Sequence, residues 1–165
     1  MNTSANRRSS GLARLTLLLA LLLGGGAAAA EAQTPLPERL LTPADLERVG
    51  LKGAVRPSAD MYNPAEGLHF VKGPDSMLVL TVAALNDVKS SNELRTTVQL
   101  LSKEVTAVSG VGDEAYLGLG GWMLIFRKGT KAFQFLTGAD VAAGGKVFLS
   151  PAQLTDLAKT FASRL

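Results

Sequence analysis

Cysteine is absent from this 165-residue chain. Its absence excludes disulfides, thiol catalysis, cysteine-ligated metals and lipid attachment at an N-terminal cysteine. Histidine occurs once, as His69. One imidazole cannot build a multi-histidine zinc site, and no Glu-x-x-His or serine elbow beside it supplies a nucleophile to activate. Haem attachment signals are missing as well, so no cofactor is expected and His69 reads as a partly exposed strand residue. Aromatic residues make up only 5% of the chain, so a small domain needs most of them for its core. Long apolar runs are also missing, since Leu15 to Leu23 falls short of the roughly 20 residues that span a bilayer. The glycine-rich string Gly118-Leu119-Gly120-Gly121 opens no helix and lacks a following Lys-Ser/Thr, which excludes a phosphate cradle.

What the N-terminus does contain reads as an export signal. Arg7, Arg8 and Arg14 flank or precede the Leu15 to Leu23 run, and a Gly/Ala tract leads to Ala30-Glu31-Ala32, a small-x-small cleavage site before Gln33. Arg7-Arg8 is followed by Ser9-Ser10-Gly11 rather than a hydrophobic pair, which favours export of the unfolded chain. Cleavage after Ala32 removes three of the 17 Lys+Arg and one of the 14 Asp+Glu. The mature chain is then nearly neutral, so the basic balance belongs to the signal and no nucleic-acid partner is expected. The expected location is the periplasm or the extracellular space, without a stable membrane anchor after cleavage.

Residues 33–40 hold Pro35 and Pro37 and predict an extended leader, followed by a single domain over 41–165. Thr42-Pro43-Ala44-Asp45 starts a short helix with Thr42 as N-cap, Pro43 in the first turn, and Leu41 against Leu46 as a hydrophobic staple. The same grammar recurs at Ser150-Pro151-Ala152-Gln153, after which Leu154, Leu157, Ala158, Phe161 and Leu165 form one apolar face. A middle helix is expected from about Asn92 to Val105, capped by Ser90 and Glu93.

The remaining periodic segments read as strands: Leu68 to Lys72, Met77 to Ala84, about Ala115 to Leu119, Trp122 to Arg127, and Lys131 to Thr137. Gly129 supplies the positive φ for a three-residue connection in the last hairpin, and the flanking lysines would discourage edge pairing. Residues 51–66, holding Pro57 and Pro64, leave room for a strand near Gly53 to Arg56, and the Gly/Ala-rich 138–146 segment predicts a mobile loop. The predicted class is α+β: an antiparallel sheet of about five strands with helices on one face, in the order helix, two strands, helix, three strands, helix.

Candidate site residues fall in three groups. Trp122, Phe126, Phe133 and Phe135 lie on the last hairpin, where they form either the core or the lining of a sheet-to-helix cleft. Asp113, Glu114 and Tyr116 belong to Gly110-Val111-Gly112-Asp113-Glu114-Ala115-Tyr116, where a turn entering a strand explains the residues and two adjacent carboxylates suit calcium poorly. His69 stands by itself on its strand.

The seven-residue string, with the L-T-P-A-D-L helix start and the element order, resembles small exported bacterial domains of unknown function, many of them lipoproteins or extracellular sensor modules. The similarity covers most of the mature chain, and only the G-x-G-D-x-A-Y string is specific. It implies an antiparallel sheet with flanking helices and a binding or accessory role. This chain lacks the lipidation cysteine and paired cysteines that many such domains carry.

The expected function is thus that of a non-enzymatic binding or accessory module, acting through a sheet face, an exposed edge or a cleft, with an unknown protein as partner. One alternative is a carrier of a small apolar ligand behind the Trp122 to Thr137 hairpin. Another is a hydrolase with dispersed carboxylates converging in one pocket.

Overall fold

The computed structural model describes residues 36–57, 67–73, 75, 77–85, 87–140 and 143–165, all within the compact unit Gln33–Leu165. The expected signal peptide and the first residues of the expected leader lie outside the described residues. Helix α1 spans Pro43–Arg48 and begins as its cap residues dictate. Thr42 N donates to Asp45 Oδ2 at 2.8 Å and Asp45 N to Thr42 Oγ1 at 3.4 Å, a reciprocal box. Leu41 and Leu46 are both buried beside it. The closing helix α3, Pro151–Ala162, carries the matching box between Ser150 and Gln153. Gln153 Nε2 reaches past its own helix to donate to Val49 O at 2.8 Å, tying the two helices together.

The class is α+β with an antiparallel sheet, as expected. Six strands form it: β1 (Leu68–Lys72), β2 (Met77–Ala84), β3 (Thr106–Val108), β4 (Glu114–Gly118), β5 (Met123–Lys128) and β6 (Lys131–Thr137). Their order is β1-β2-β6-β5-β4-β3, every neighbouring pair antiparallel. The sixth strand, β3, had no counterpart in the sequence reading because three residues are too few to show a period. The β5–β6 hairpin occupies the middle of the sheet, so its lysines do not guard an edge. Lys128 pairs directly with Lys131, leaving the two-residue turn Gly129-Thr130 with Gly129 at φ +62°.

Helices cover both faces rather than one. Alternation along β5 sends Leu124 and Phe126 to the α1/α3 side, while Met123 and Ile125 go to the other. Helix α2, Ser91–Leu101, buries Leu94 and Val98 on that second side with Met123, Ile125 and Ala132. Four consecutive buried residues in β5 are the mark of a strand covered twice. Glu93 accepts from Lys89 N at 2.6 Å instead of closing a full box with Ser90, and the helix stops at Leu101, short of Val105.

Three loop expectations also change. Residues 38–40 form a 3₁₀ turn with Leu40 buried, and Leu36 packs on the core, so this described part of the expected leader is docked. Near Gly53 to Arg56 there is one bridge, Val55 with Val71, rather than a strand. Within 138–146, Ala139–Asp140 (β7) pairs with Lys146–Val147 (β8) as a two-stranded ribbon, and Asp140 Oδ1 accepts from Ala143 N at 3.0 Å. Among the described residues no helix is long and apolar enough to cross a membrane.

Candidate functional site

Register brings the hairpin phenylalanines together: Leu124 faces Phe135 and Phe126 faces Phe133 on the same side of the sheet. Phe161 from α3 completes the cluster, its ring 5.2 to 6.1 Å from the other three in edge-on contacts. Phe126, Phe133 and Phe135 are at most 4% exposed, so they are core and present no surface to a ligand. Trp122 parts from them. It lies outside β5, caps the 3₁₀ turn Leu119–Gly121 and is 40% exposed.

The turn that presents Trp122 is held in an unusual backbone state. Leu119, Gly120 and Gly121 have φ of +51°, +63° and +92° in succession, and the first of these is costly for a residue with a Cβ. Ser102 Oγ fixes it, accepting from Leu119 N at 2.9 Å while donating to Glu104 O at 2.6 Å. Ser102, buried just past the end of α2, is therefore a positioning residue that sequence reading did not single out.

Asp113, Glu114 and Tyr116 form one polar chain with Arg127. Asp113 Oδ2 accepts from Gly129 N at 2.7 Å, which closes the β5–β6 turn, and from Arg127 Nη1 at 3.4 Å. The Tyr116 hydroxyl donates to Glu114 Oε1 at 2.6 Å, and this bond to a carboxylate, with partial burial, raises the tyrosine pKa. Glu114 also faces its cross-strand partner Arg127. Gly112 makes the approach possible, because a Cβ there would lie 2.3 Å from Arg127 O. The string thus clamps its loop onto the central hairpin. Among the described residues no group of three or more His, Asp or Glu side chains could hold a metal.

His69 is buried at 5% exposure rather than partly exposed, with Nδ1 3.3 Å from Thr81 Oγ1 across the β1–β2 pair. Thr81 is its cross-strand partner on β2, a contact that period-two reasoning on one strand could not reveal. It lies at the opposite side of the sheet order from the remaining surface feature, the β3 edge.

The two sheet edges differ. Val55 covers part of β1, exchanging both main-chain bonds with Val71 at 2.9 Å. β3 pairs only with β4, and Thr106 and Ala107 are exposed. Beside β3, between the sheet and α3, runs an open groove of about 480 Å³. Val108 and Leu117 line it from the sheet, Pro151, Ala152 and Thr155 from the helix, with Asp156 and Lys159 farther along. None of these belonged to the sequence candidates. One signal was present: Pro151, Ala152, Thr155, Asp156 and Lys159 form the stripe of α3 beside its apolar face.

The chain matches no protein-family model, no curated protein and no solved structure.

Proposed function

We propose that this protein is an exported, non-enzymatic binding module that takes up an extended polypeptide segment along the outer edge of β3. The observation that carries this reading is the asymmetry of the sheet: Val55 covers one edge, whereas β3 borders a groove and has no strand on its outer side among the described residues. Alternate residues of an edge strand direct N–H and C=O groups outward, and an added strand satisfies them while its side chains choose among neighbouring pockets.

The rival readings find less support. The space behind the hairpin, where an apolar ligand would sit, is filled by Phe126, Phe133, Phe135 and Phe161. Hydrolysis by paired carboxylates needs two of them facing a pocket, but Asp113 and Glu114 are engaged with Gly129, Tyr116 and Arg127, and Asp45 with Thr42 and Arg164.

The test is selection of binders to the full chain from a displayed library of random nine-residue peptides, then titration against wild type and Ala107→Pro. Proline removes one main-chain donor and restricts the edge backbone. The expected result is peptides that lose at least tenfold in affinity for Ala107→Pro while circular dichroism shows both proteins folded. Binders indifferent to position 107, or none at all, would overturn the proposal.

A further inference from the structure

The groove has a direction and a charge order. Leu117 pairs with Thr106, and Pro151 lies against Gly121, so the start of α3 sits at the Thr106 end of β3. At the other end the Lys159 stem lies against Gly110, where a Cβ would meet its Cε at 3.5 Å. Helix α3 therefore runs beside β3 in the same sense. Along the groove from the Gly110 end stand Lys159, then Asp156, then the apolar wall of Pro151, Ala152 and Leu117. Among the described residues neither Asp156 nor Lys159 is in an ion pair, although both are exposed and three positions apart on one helix.

From this order we infer that the site selects an extended peptide bearing an acidic residue, a basic residue two positions on and an apolar residue four positions on, in antiparallel alignment with β3. The inference rests on the edge-binding reading above. The antiparallel sense follows the rest of the sheet, where every pair has it and pairing is slightly stronger per residue. Such a peptide enters at the Gly110 end, so its acid meets Lys159 first, its base Asp156 next and its apolar side chain the Leu117/Pro151 wall last.

Spacing agrees with that order. Lys159 and Asp156 are separated by about 4.5 Å of helix and Lys159 and Ala152 by about 10.5 Å. Same-face residues of a strand recur at about 6.8 Å, so second and fourth neighbours fall within side-chain reach of both. A partner lacking the pattern would leave the charges solvated and lose complementarity, which sets specificity more than affinity.

Three synthetic peptides of identical composition test this: Thr-Glu-Thr-Lys-Thr-Leu-Thr, its charge-swapped form Thr-Lys-Thr-Glu-Thr-Leu-Thr, and the reversed sequence. Each is titrated into the 15N-labelled full chain at low salt, and into the double variant Asp156→Lys, Lys159→Asp. The first peptide is expected to bind on the order of fivefold more tightly than the swapped form, as suits two exposed charge pairs. The double variant should invert that preference, with amide shifts at Thr106 to Val108 in both cases. Equal binding of all three peptides with shifts at β3 would overturn the charge pattern and leave edge binding intact. Failure of the first peptide to bind would also overturn the pattern, while binders from the random library that depend on Ala107 would still support the edge.

Discussion

Arg164 grips Asp45 across 119 residues of sequence, donating Nη1 to Oδ2 at 2.5 Å and Nη2 to Oδ1 at 2.9 Å. The same guanidinium donates to Leu40 O at 3.1 Å, so one side chain after α3 fastens both the 3₁₀ turn and α1. The Arg164 hydrogen bonds, helped by those from Thr42, hold the Asp45 pKa down at about 2 against burial, which acts in the opposite direction.

A carboxyl whose folded pKa lies below its unfolded value stabilises the fold above the unfolded pKa, and the contribution is lost as pH falls through the folded one. For Asp45 the window runs from 3.8 down to about 2. The expected loss there is on the order of 1–2 kcal/mol, reduced because Arg164 is partly exposed. Asp45→Asn should lower stability at neutral pH and flatten the stability profile across this window. Urea melts at pH 2, 3, 4 and 7 check it; parallel profiles for both proteins would contradict it.

Gly112→Ala should be far more damaging than Gly129→Ala although both glycines have positive φ. A Cβ at Gly112 would lie 2.3 Å from Arg127 O and 2.8 Å from Phe126 Cδ2, whereas at Gly129 it meets nothing within 4 Å. The expected costs are about 3 kcal/mol against about 1 kcal/mol. Denaturation midpoints of the two variants provide the comparison, and equal shifts would contradict the clamp assigned to the Gly110 to Tyr116 string.

Phe161→Ala should cost about 3–5 kcal/mol, because its ring closes the cluster with Phe126, Phe133 and Phe135. Trp122→Ala should change stability by about 0.5 kcal/mol or less, as suits a side chain 40% exposed. Thermal melts separate the two. A large loss at Trp122 would place it in the core after all.

Ser102→Ala leaves Leu119 N without its side-chain acceptor next to a strained backbone, at an expected cost of about 1–2 kcal/mol. Trp122 is the sole tryptophan, so its emission reports this turn without interference. A changed emission spectrum in Ser102→Ala, with an unchanged far-ultraviolet spectrum, is the expected signature. An unchanged emission maximum would mean that Ser102 does not position the turn.

The elements with strong local signals were legible in the sequence. Thr42 and Ser150 fixed the starts of α1 and α3, and apolar segments bounded by turn residues located β1, β2, β4, β5 and β6. What local pattern could not convey was partnership. Met123 and Ile125 were apolar in any reading, but only the return of α2 onto the second face explains why both sides of β5 are buried. His69 meets Thr81 across the β1–β2 pair, and Ser102 matters only because Leu119, 17 positions away, needs an acceptor. The β3 edge escaped notice for a simpler reason, since Thr106 to Val108 carries too little sequence to show a period. The stripe from Pro151 to Lys159 was visible as the side of an amphipathic helix, but its meaning depends on the strand that lies beside it.

The central claim is that β3 is a recognition edge, and amide hydrogen exchange tests it most directly. Exchange of the full chain is followed alone and with a saturating peptide selected from the random library. Slowed exchange confined to Thr106 to Ser109 and the facing turns of α3, with Val55 and Val71 unchanged, is the predicted result. Protection that appears instead at β1, at Trp122 alone or nowhere on β3 would contradict it.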